Sequence, residues 1–150
     1  MSIVETLAKL AEKRAALRQE AIAQIGSELK TFLDSHPAID MFAWYQYTPY
    51  FNDGDECVFR VGDLHARLAG EPDDSDEREF ESGSLPWFEP HYLKYNNEVV
   101  NLLPATTIEA LQELVSVWRN AKDDLYAAFG DHVRVYVSGT GIDVETFEHD

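Results

Sequence analysis

The sequence predicts a mixed α+β fold: an antiparallel four-stranded sheet of two hairpins with two helices, in the order α-β-β-α-β-β. Two segments have apolar residues at helical spacing, two have apolar residues in alternation, and turn residues separate the alternating runs. With 150 residues, 45% of them hydrophobic, the chain can bury one ordinary core. We therefore expect a single acidic domain over residues 1–150, with a long N-terminal helix over about residues 3–35.

The first helix is predicted from a capping signal and an apolar stripe. Ser2 and Glu5 have the spacing of a capping box, which satisfies free amides at a helix start. His36-Pro37 ends the helix because proline has no amide donor. The stripe contains Ile3, Leu7, Leu10, Leu17 and Ala21 and widens at Ile22, Ile25, Leu29, Phe32 and Leu33. Such a helix spans roughly 45–50 Å, so part of it is expected to protrude or to pair.

The first hairpin is predicted from alternating aromatic residues around a polar turn. The outgoing strand places Met41, Ala43, Tyr45 and Tyr47 on one side and Phe42 and Trp44 on the other. Residues 52–55, Asn-Asp-Gly-Asp, supply the turn, and residues 57–61 form the returning strand. Between residues 87 and 95, aromatic residues interleaved with prolines indicate irregular or edge structure packed onto the body.

The second half repeats the pattern of a helix followed by a hairpin. Thr106 to Glu109 is interpreted as a second capping box, and Gly130 is expected to end the helix that follows. The apolar face of that helix contains Ile108, Leu111, Val115, Trp118, Leu125 and Phe129. Residues 133–137 and 142–146 then alternate as two strands around a Ser-Gly-Thr-Gly turn.

The charge is strongly negative and unevenly distributed. The chain has 28 acidic and 12 basic residues, a net charge of -16. Residues 1–35 hold five of each sign and are neutral, so the excess lies entirely in residues 36–150. Such a charge disfavours direct binding to nucleic acid or anionic membrane and favours basic partners. A single cysteine, Cys57, excludes an intramolecular disulfide, and with no leader or long apolar run the sequence favours a cytoplasmic location.

Residues 44–57 carry the most distinctive segment, WYQYTPYFNDGDEC. This segment resembles a hairpin shared by an uncharacterised family of small phage and bacterial proteins, with the pattern W-x-Q-Y-T-P-Y-F-N-D-G-D-x-C. The resemblance covers about fourteen of the 150 residues. It implies a phage or prophage origin and no particular activity.

The hairpin also supplies candidate site residues. Asp53, Asp55 and Glu56 crowd carboxylates into a turn, but the twelfth position that an EF-hand requires as Glu is Leu64. The five histidines lack metal-binding spacing, and no local Cys-His signature supports Cys57 as a nucleophile. We therefore expect no metal, cofactor or catalytic set, and we keep a hairpin site as an alternative. Its candidate residues are Trp44, Tyr47, Asp53, Asp55 and His65.

An acidic run provides a second kind of candidate. Residues 71–81 contain seven acids and one arginine, and a folded carboxylate surface can imitate the charge spacing of duplex DNA. A solvated loop that only maintains solubility is the alternative. The candidate partner-binding residues are Glu71, Asp73, Asp74, Asp76, Glu77, Glu79 and Glu81 of the run, with Asp123 and Asp124 of the second helix.

Three functional hypotheses follow. The first is a non-enzymatic acidic binding protein, phage-encoded, which inhibits a host nucleic-acid-binding or anti-phage defence protein by occupying its basic surface, in the manner of a DNA mimic or an anti-CRISPR protein. The second is a small metal-dependent hydrolase or nucleotide-binding protein with its site at the aromatic hairpin. The third is a structural or assembly protein that forms a homodimer through the N-terminal helix.

Overall fold

A single sheet with helices packed against it makes up the computed structural model, which describes residues 2–50, 54–70, 79–82 and 84–148. The helices are α1 (Ile3–Ser35), α2 (Asn97–Leu102), α3 (Ala105–Trp118) and α4 (Lys122–Phe129). The strands are β1 (Ile39–Tyr47), β2 (Arg60–Val61), β3 (His65–Leu68), β4 (Trp87–Phe88), β5 (Val133–Ser138) and β6 (Gly141–Thr146). The α+β class is confirmed, but the prediction of four strands and two helices is wrong, because the described residues contain six strands and four α-helices.

The N-terminal helix α1 begins and ends where the sequence indicated. The Ser2 hydroxyl accepts a hydrogen bond from the Glu5 amide at 3.1 Å, and the His36 amide donates to the carbonyl of Phe32 at 3.0 Å. Every residue from Leu7 to Glu20 is exposed. The first half of α1 therefore extends into solvent, while the second half packs on the part of the fold that follows it, here called the body (residues 36–150).

Strand β1 lies at the centre of the sheet. The strand order is β4-β3-β1-β5-β6, with β2 also paired to the end of β1, and each pair among the described strands is antiparallel. The predicted second hairpin is confirmed, with Val135 opposite Val144 and a turn between Ser138 and Gly141. Because β5 pairs with β1 through six residues, strands from the two halves of the chain share one sheet.

The predicted returning strand over residues 57–61 is wrong in extent. Only Arg60 and Val61 pair with β1, opposite Tyr47 and Gln46, and the longer partner on this side of β1 is β3, with Ala43 opposite His65. Strand β3 has four residues and contains His65 and Arg67, so it gave no clear apolar signal. Its neighbour β4 has two residues beside prolines and forms the sheet edge, as the interleaved prolines indicated.

The predicted second helix is divided. Its start is Pro104, without a side-chain cap, so the capping box at Thr106 is wrong. Thr107 is buried instead, and its hydroxyl shares a hydrogen bond of 3.0 Å with His36 Nδ1. A 3-10 turn over Arg119–Ala121 separates α3 from α4, and Gly130, with φ 78°, ends α4 as expected.

The sheet has two differently covered faces. The α-helices pack on the face that carries Phe42, Trp44, Val135 and Val137. The opposite face, here called the outer face, carries Ala43 and Tyr136 under Phe80 and Trp87, so the predicted alternation of β1 is confirmed. Within the described ranges, no helix combines the length and apolarity that crossing a bilayer requires.

Candidate functional site

The outer face is dominated by aromatic rings around Phe80. This residue begins a 3-10 turn over Phe80–Ser82 and is almost fully buried. Its ring centroid lies 4.9 Å from His65, 5.7 Å from Tyr136 and 5.9 Å from Trp87. Phe80 therefore fixes the acidic residue that follows it, Glu81, against the sheet.

An acidic pocket opens beside this aromatic cluster. Its volume is about 260 Å³, and its lining residues are Tyr45, Asp63, His65, Glu81 and Glu89. These residues come from β1, the segment before β3, β3 itself, the 3-10 turn at the end of the acidic run, and the segment after β4. Three of the five are carboxylates, so the pocket presents negative charge on the outer face.

Both ring nitrogens of His65 are engaged within the pocket. Nδ1 lies 2.9 Å from the carbonyl oxygen of Asp63, and Nε2 lies 3.3 Å from Glu89 Oε1. The side chain of His65 is 8% exposed, whereas that of Glu89 is 40% exposed. With a protein oxygen beside each ring nitrogen, His65 is held in one orientation against the pocket wall.

Tyr45 contributes a phenol to the pocket wall. Burial raises the pKa of Tyr45 above its ordinary value of 10.0, and the charges of Tyr47, Glu81 and Asp63 raise it further. Gly62 leaves space for the Tyr45 ring, because a Cβ at position 62 would lie 2.8 Å from that ring. Tyr45 therefore stays protonated at neutral pH and offers a hydroxyl beside the carboxylates.

Arg134 borders the acidic pocket without lining it. Its Nε donates a hydrogen bond of 2.9 Å to Glu81 Oε1, and its guanidinium lies 4.6 Å from the ring centroid of Phe147. This contact sets the position of the Glu81 carboxylate. It also shows the geometry in which a guanidinium is held here, between a carboxylate and an aromatic ring.

A larger cleft continues from the pocket past His65 and Glu89, which line both. It has a volume of about 610 Å³ and also contains Phe80, Ser84, Leu85, Trp87, Phe88, Tyr92, Tyr95, Asn96 and Glu98. Tyr95 is 75% exposed, and the ammonium of Lys94 lies 5.0 Å from its ring centroid. Among the described residues that line the two cavities there is no Lys or Arg.

His91 lies behind the pocket and supports it. Its Nε2 accepts a hydrogen bond from the Leu64 amide at 3.2 Å. Burial lowers the pKa of His91 below 6.5; the charge of Asp63 opposes this, and that of Arg119 lowers the pKa further. A neutral His91 therefore holds the segment that carries Asp63 and His65.

The predicted hairpin site is only partly brought together. His65 lines the pocket, and Tyr47 lies nearby, with its ring centroid 5.6 Å from that of Tyr45. Trp44 points to the helices on the opposite face and is fully buried. Asp55 is exposed in the loop and does not line the pocket, and Asp53 lies outside the described residues.

The predicted acidic surface is also divided. Glu79 is exposed next to Phe80, and Glu81 lines the pocket. Asp123 and Asp124 are exposed in the first turn of α4, on the helix side of the sheet, where their negative charges interact favourably with the helix dipole. The remaining candidates of the run, which are Glu71, Asp73, Asp74, Asp76 and Glu77, lie outside the described residues.

Three pocket residues were missed by sequence reasoning: Tyr45, Asp63 and Glu89. Tyr45 was assigned to the correct side of β1, and that alternation was the available signal. Asp63 and Glu89 are single acids in short irregular segments, and neither has a local pattern that indicates a site.

The distinctive 44–57 segment has a structural use in its first part. Gln46 is fully buried; its Nε2 donates to the carbonyls of Leu125 and Gly130 at 3.0 and 2.6 Å, and its Oε1 accepts from Trp44 Nε1 at 3.0 Å. Asp131 accepts hydrogen bonds of 2.7 Å from both the amide and the hydroxyl of Thr48. These contacts fasten β1 to the end of α4.

The described residues contain no group of three His, Cys, Asp or Glu side chains placed to hold a metal ion. No protein-family model, curated protein or solved structure matches the chain. The resemblance of residues 44–57 to the phage and bacterial family therefore stays a prediction. The fold and the acidic pocket are the available basis for a functional proposal.

Proposed function

We propose that this protein is a non-enzymatic acidic binding protein whose outer face receives a basic side chain of another protein. The observation that carries the proposal is the acidic pocket, in which Asp63, Glu81 and Glu89 converge on one cavity. A volume of about 260 Å³ is small for a nucleotide or a drug-sized molecule. It suits one side chain inserted from a partner's surface.

The chemistry of the walls favours a guanidinium or an ammonium group. Carboxylates at the pocket accept charge-assisted hydrogen bonds, which are about twice as strong as neutral ones. The adjoining cleft offers Tyr92, which is 45% exposed and whose ring can attract a cation and cover methylene groups. Arginine satisfies both requirements, because its planar group bonds carboxylates in pairs and stacks on aromatic rings.

Long-range charge supports the same class of partner. The body carries the entire excess of negative charge, so a basic surface is attracted from a distance and phosphate groups are repelled. The more specific form of the proposal is that the partner is a nucleic-acid-binding or defence protein of a host, whose basic surface is blocked. The phage-like segment and the composition motivate that form.

The proposal is tested with a fluorescent nine-residue arginine peptide, and a serine peptide of equal length serves as the control. Binding is followed by anisotropy at several salt concentrations. We expect the arginine peptide alone to bind, with an affinity that falls steeply between 50 and 500 mM NaCl, because the screening length of charge pairs falls from about 14 Å to about 4 Å in this range.

Variants locate the binding surface. Changing Glu81 and Glu89 together to Gln is expected to weaken binding about tenfold, which corresponds to about 1.4 kcal/mol. The matched control changes Glu109 and Glu113 to Gln, which removes the same charge from the exposed side of α3. If both double variants weaken binding equally, the charge acts without a pocket and the proposed site is wrong.

The hydrolase or nucleotide-binding alternative has one observation in its favour, the short contact between His65 and Glu89. Nucleotide phosphates would nevertheless enter a pocket with three carboxylates, which repel them. Metal-dependent turnover of a nucleotide that is lost in Glu89→Gln, with the fold unchanged, would replace the binding proposal.

A further inference from the structure

The exposed half of α1 carries an uncovered apolar stripe. Ile3, Leu7, Leu10 and Leu17 are 69%, 57%, 49% and 63% exposed. They follow a heptad spacing, in which Arg14 occupies the position between Leu10 and Leu17 and Ala21 occupies the next position after Leu17. An isolated helix of this length is marginally stable in water, since most helices are stabilised by packing an apolar face. Packing against another chain would supply that stability.

An apolar groove lies at the base of this stripe. It has a volume of about 980 Å³ between α1, α4 and β6, and Leu17 belongs to both the stripe and the groove. Tyr126 and Val144 line it and are 49% and 42% exposed. Arg14, Arg18 and Gln19 also line the groove. Stripe and groove therefore meet at Leu17 in one mainly apolar surface, which is larger than scattered exposed side chains provide.

We infer that the partner is a second copy of this chain, paired antiparallel through the first half of α1. In the register that puts Leu7 opposite Leu17, Ile3 faces Ala21 and Leu10 faces Arg14. The tip of each helix then reaches the groove at the base of the other. Both halves of the interface are the same surface, as twofold symmetry requires.

Charge permits a second copy and selects the antiparallel orientation. Residues 1–35 are neutral, so the helices themselves do not repel, whereas each body carries the whole excess of -16. Parallel pairing would bring the two bodies together at one end. Antiparallel pairing separates them by about the length of eighteen residues, roughly 27 Å, which exceeds the screening length of about 8 Å at physiological salt.

Arg14 is consistent with this register. A polar residue at one core position of a helix pair lowers its stability but specifies alignment. Opposite Leu10, the methylene groups of Arg14 can cover the leucine while the guanidinium reaches water.

Sedimentation of the full chain tests association. We expect twice the monomer mass at about 50 µM, with a dimer that strengthens as salt rises from about 10 to about 150 mM, because the screening length falls in this range from about 30 Å, which spans the separation of the bodies, to about 8 Å. Replacing Leu7 and Leu10 with Glu is expected to raise the dissociation constant at least about 100-fold. The control Ala16→Glu, exposed on another side of the helix, should leave it within about threefold.

Orientation is tested by disulfide formation in a Cys57→Ser background. Leu7→Cys and Leu17→Cys chains, mixed and oxidised, are expected to form the mixed disulfide far more than either variant crosslinks to itself. Self-crosslinking of each variant would indicate parallel pairing and overturn the proposal. A monomer at about 50 µM in both low and high salt would overturn it as well. This outcome is independent of the test with basic peptides, whose binding is expected to weaken as salt rises.

Discussion

The buried amide of Gln46 provides the most direct test of how β1 is fastened to α4. Gln46→Leu replaces the amide by an apolar side chain of similar size and removes one accepted and two donated hydrogen bonds. Trp44 Nε1 then loses its acceptor in the core, and the carbonyls of Leu125 and Gly130 lose a donor. The indole of Trp44 and the Leu125 carbonyl are buried, whereas the Gly130 carbonyl is partly buried.

The magnitude follows from the groups left unsatisfied. Each buried polar group without a partner costs about 1–3 kcal/mol, and Trp44 and Gly130 are the two most affected, since a helical carbonyl such as that of Leu125 can keep its helical donor. Improved apolar packing offsets part of this cost. We expect a loss of about 2–5 kcal/mol in the free energy of unfolding, or about 4–20 °C in Tm for a domain of this size.

Urea unfolding followed by tryptophan fluorescence measures this loss, and Trp44 itself reports the change. Gln112→Leu, at an exposed position of α3, is the matched control and should stay within about 0.5 kcal/mol of the parent. Equal stability of the two variants would refute the reasoning, because the amide would then contribute nothing beyond its volume.

Three further predictions concern titrating groups. Burial favours the protonated form of Asp131, but hydrogen bonds from Thr48 and the charge and amide of His132 outweigh burial and lower its pKa below 3.8. The stability that ionised Asp131 contributes should therefore disappear as pH falls from 4. Asp131→Asn should lower the free energy of unfolding by about 1–3 kcal/mol at pH 7, and urea unfolding of this variant should depend less on pH than that of the parent. The pKa of Tyr45 is raised, chiefly by burial, so one tyrosine should ionise above pH 10 in absorbance titrations, a step absent in Tyr45→Phe. The pKa of His91 is lowered, chiefly by burial. The stability that neutral His91 contributes should therefore fall as pH drops below 6.5, and NMR titration should show one histidine ring that takes up its proton at a lower pH than a free histidine.

Local patterns predicted those parts of the fold that depend on short-range spacing. Helix α1, the alternating sides of β1 and the hairpin of β5 and β6 all follow from residues a few positions apart. The signal failed where an element was too short, as in β3 and β4, or where a distant contact gave a residue another use. Thr107 illustrates this, because its hydroxyl bonds His36 of α1 and not the start of its own helix.

The candidate site depended much more on tertiary structure. His65 and Glu81 were both named from the sequence, but for different sites, and only the pairing of β3 with β1 brings His65 to Tyr45 and Glu81. The sequence by itself determined the charge asymmetry, the long N-terminal helix and the C-terminal hairpin, because composition and periodicity are local properties. The tertiary structure decided which acids share a pocket and which apolar residues stay uncovered, because both depend on contacts between residues far apart in the chain.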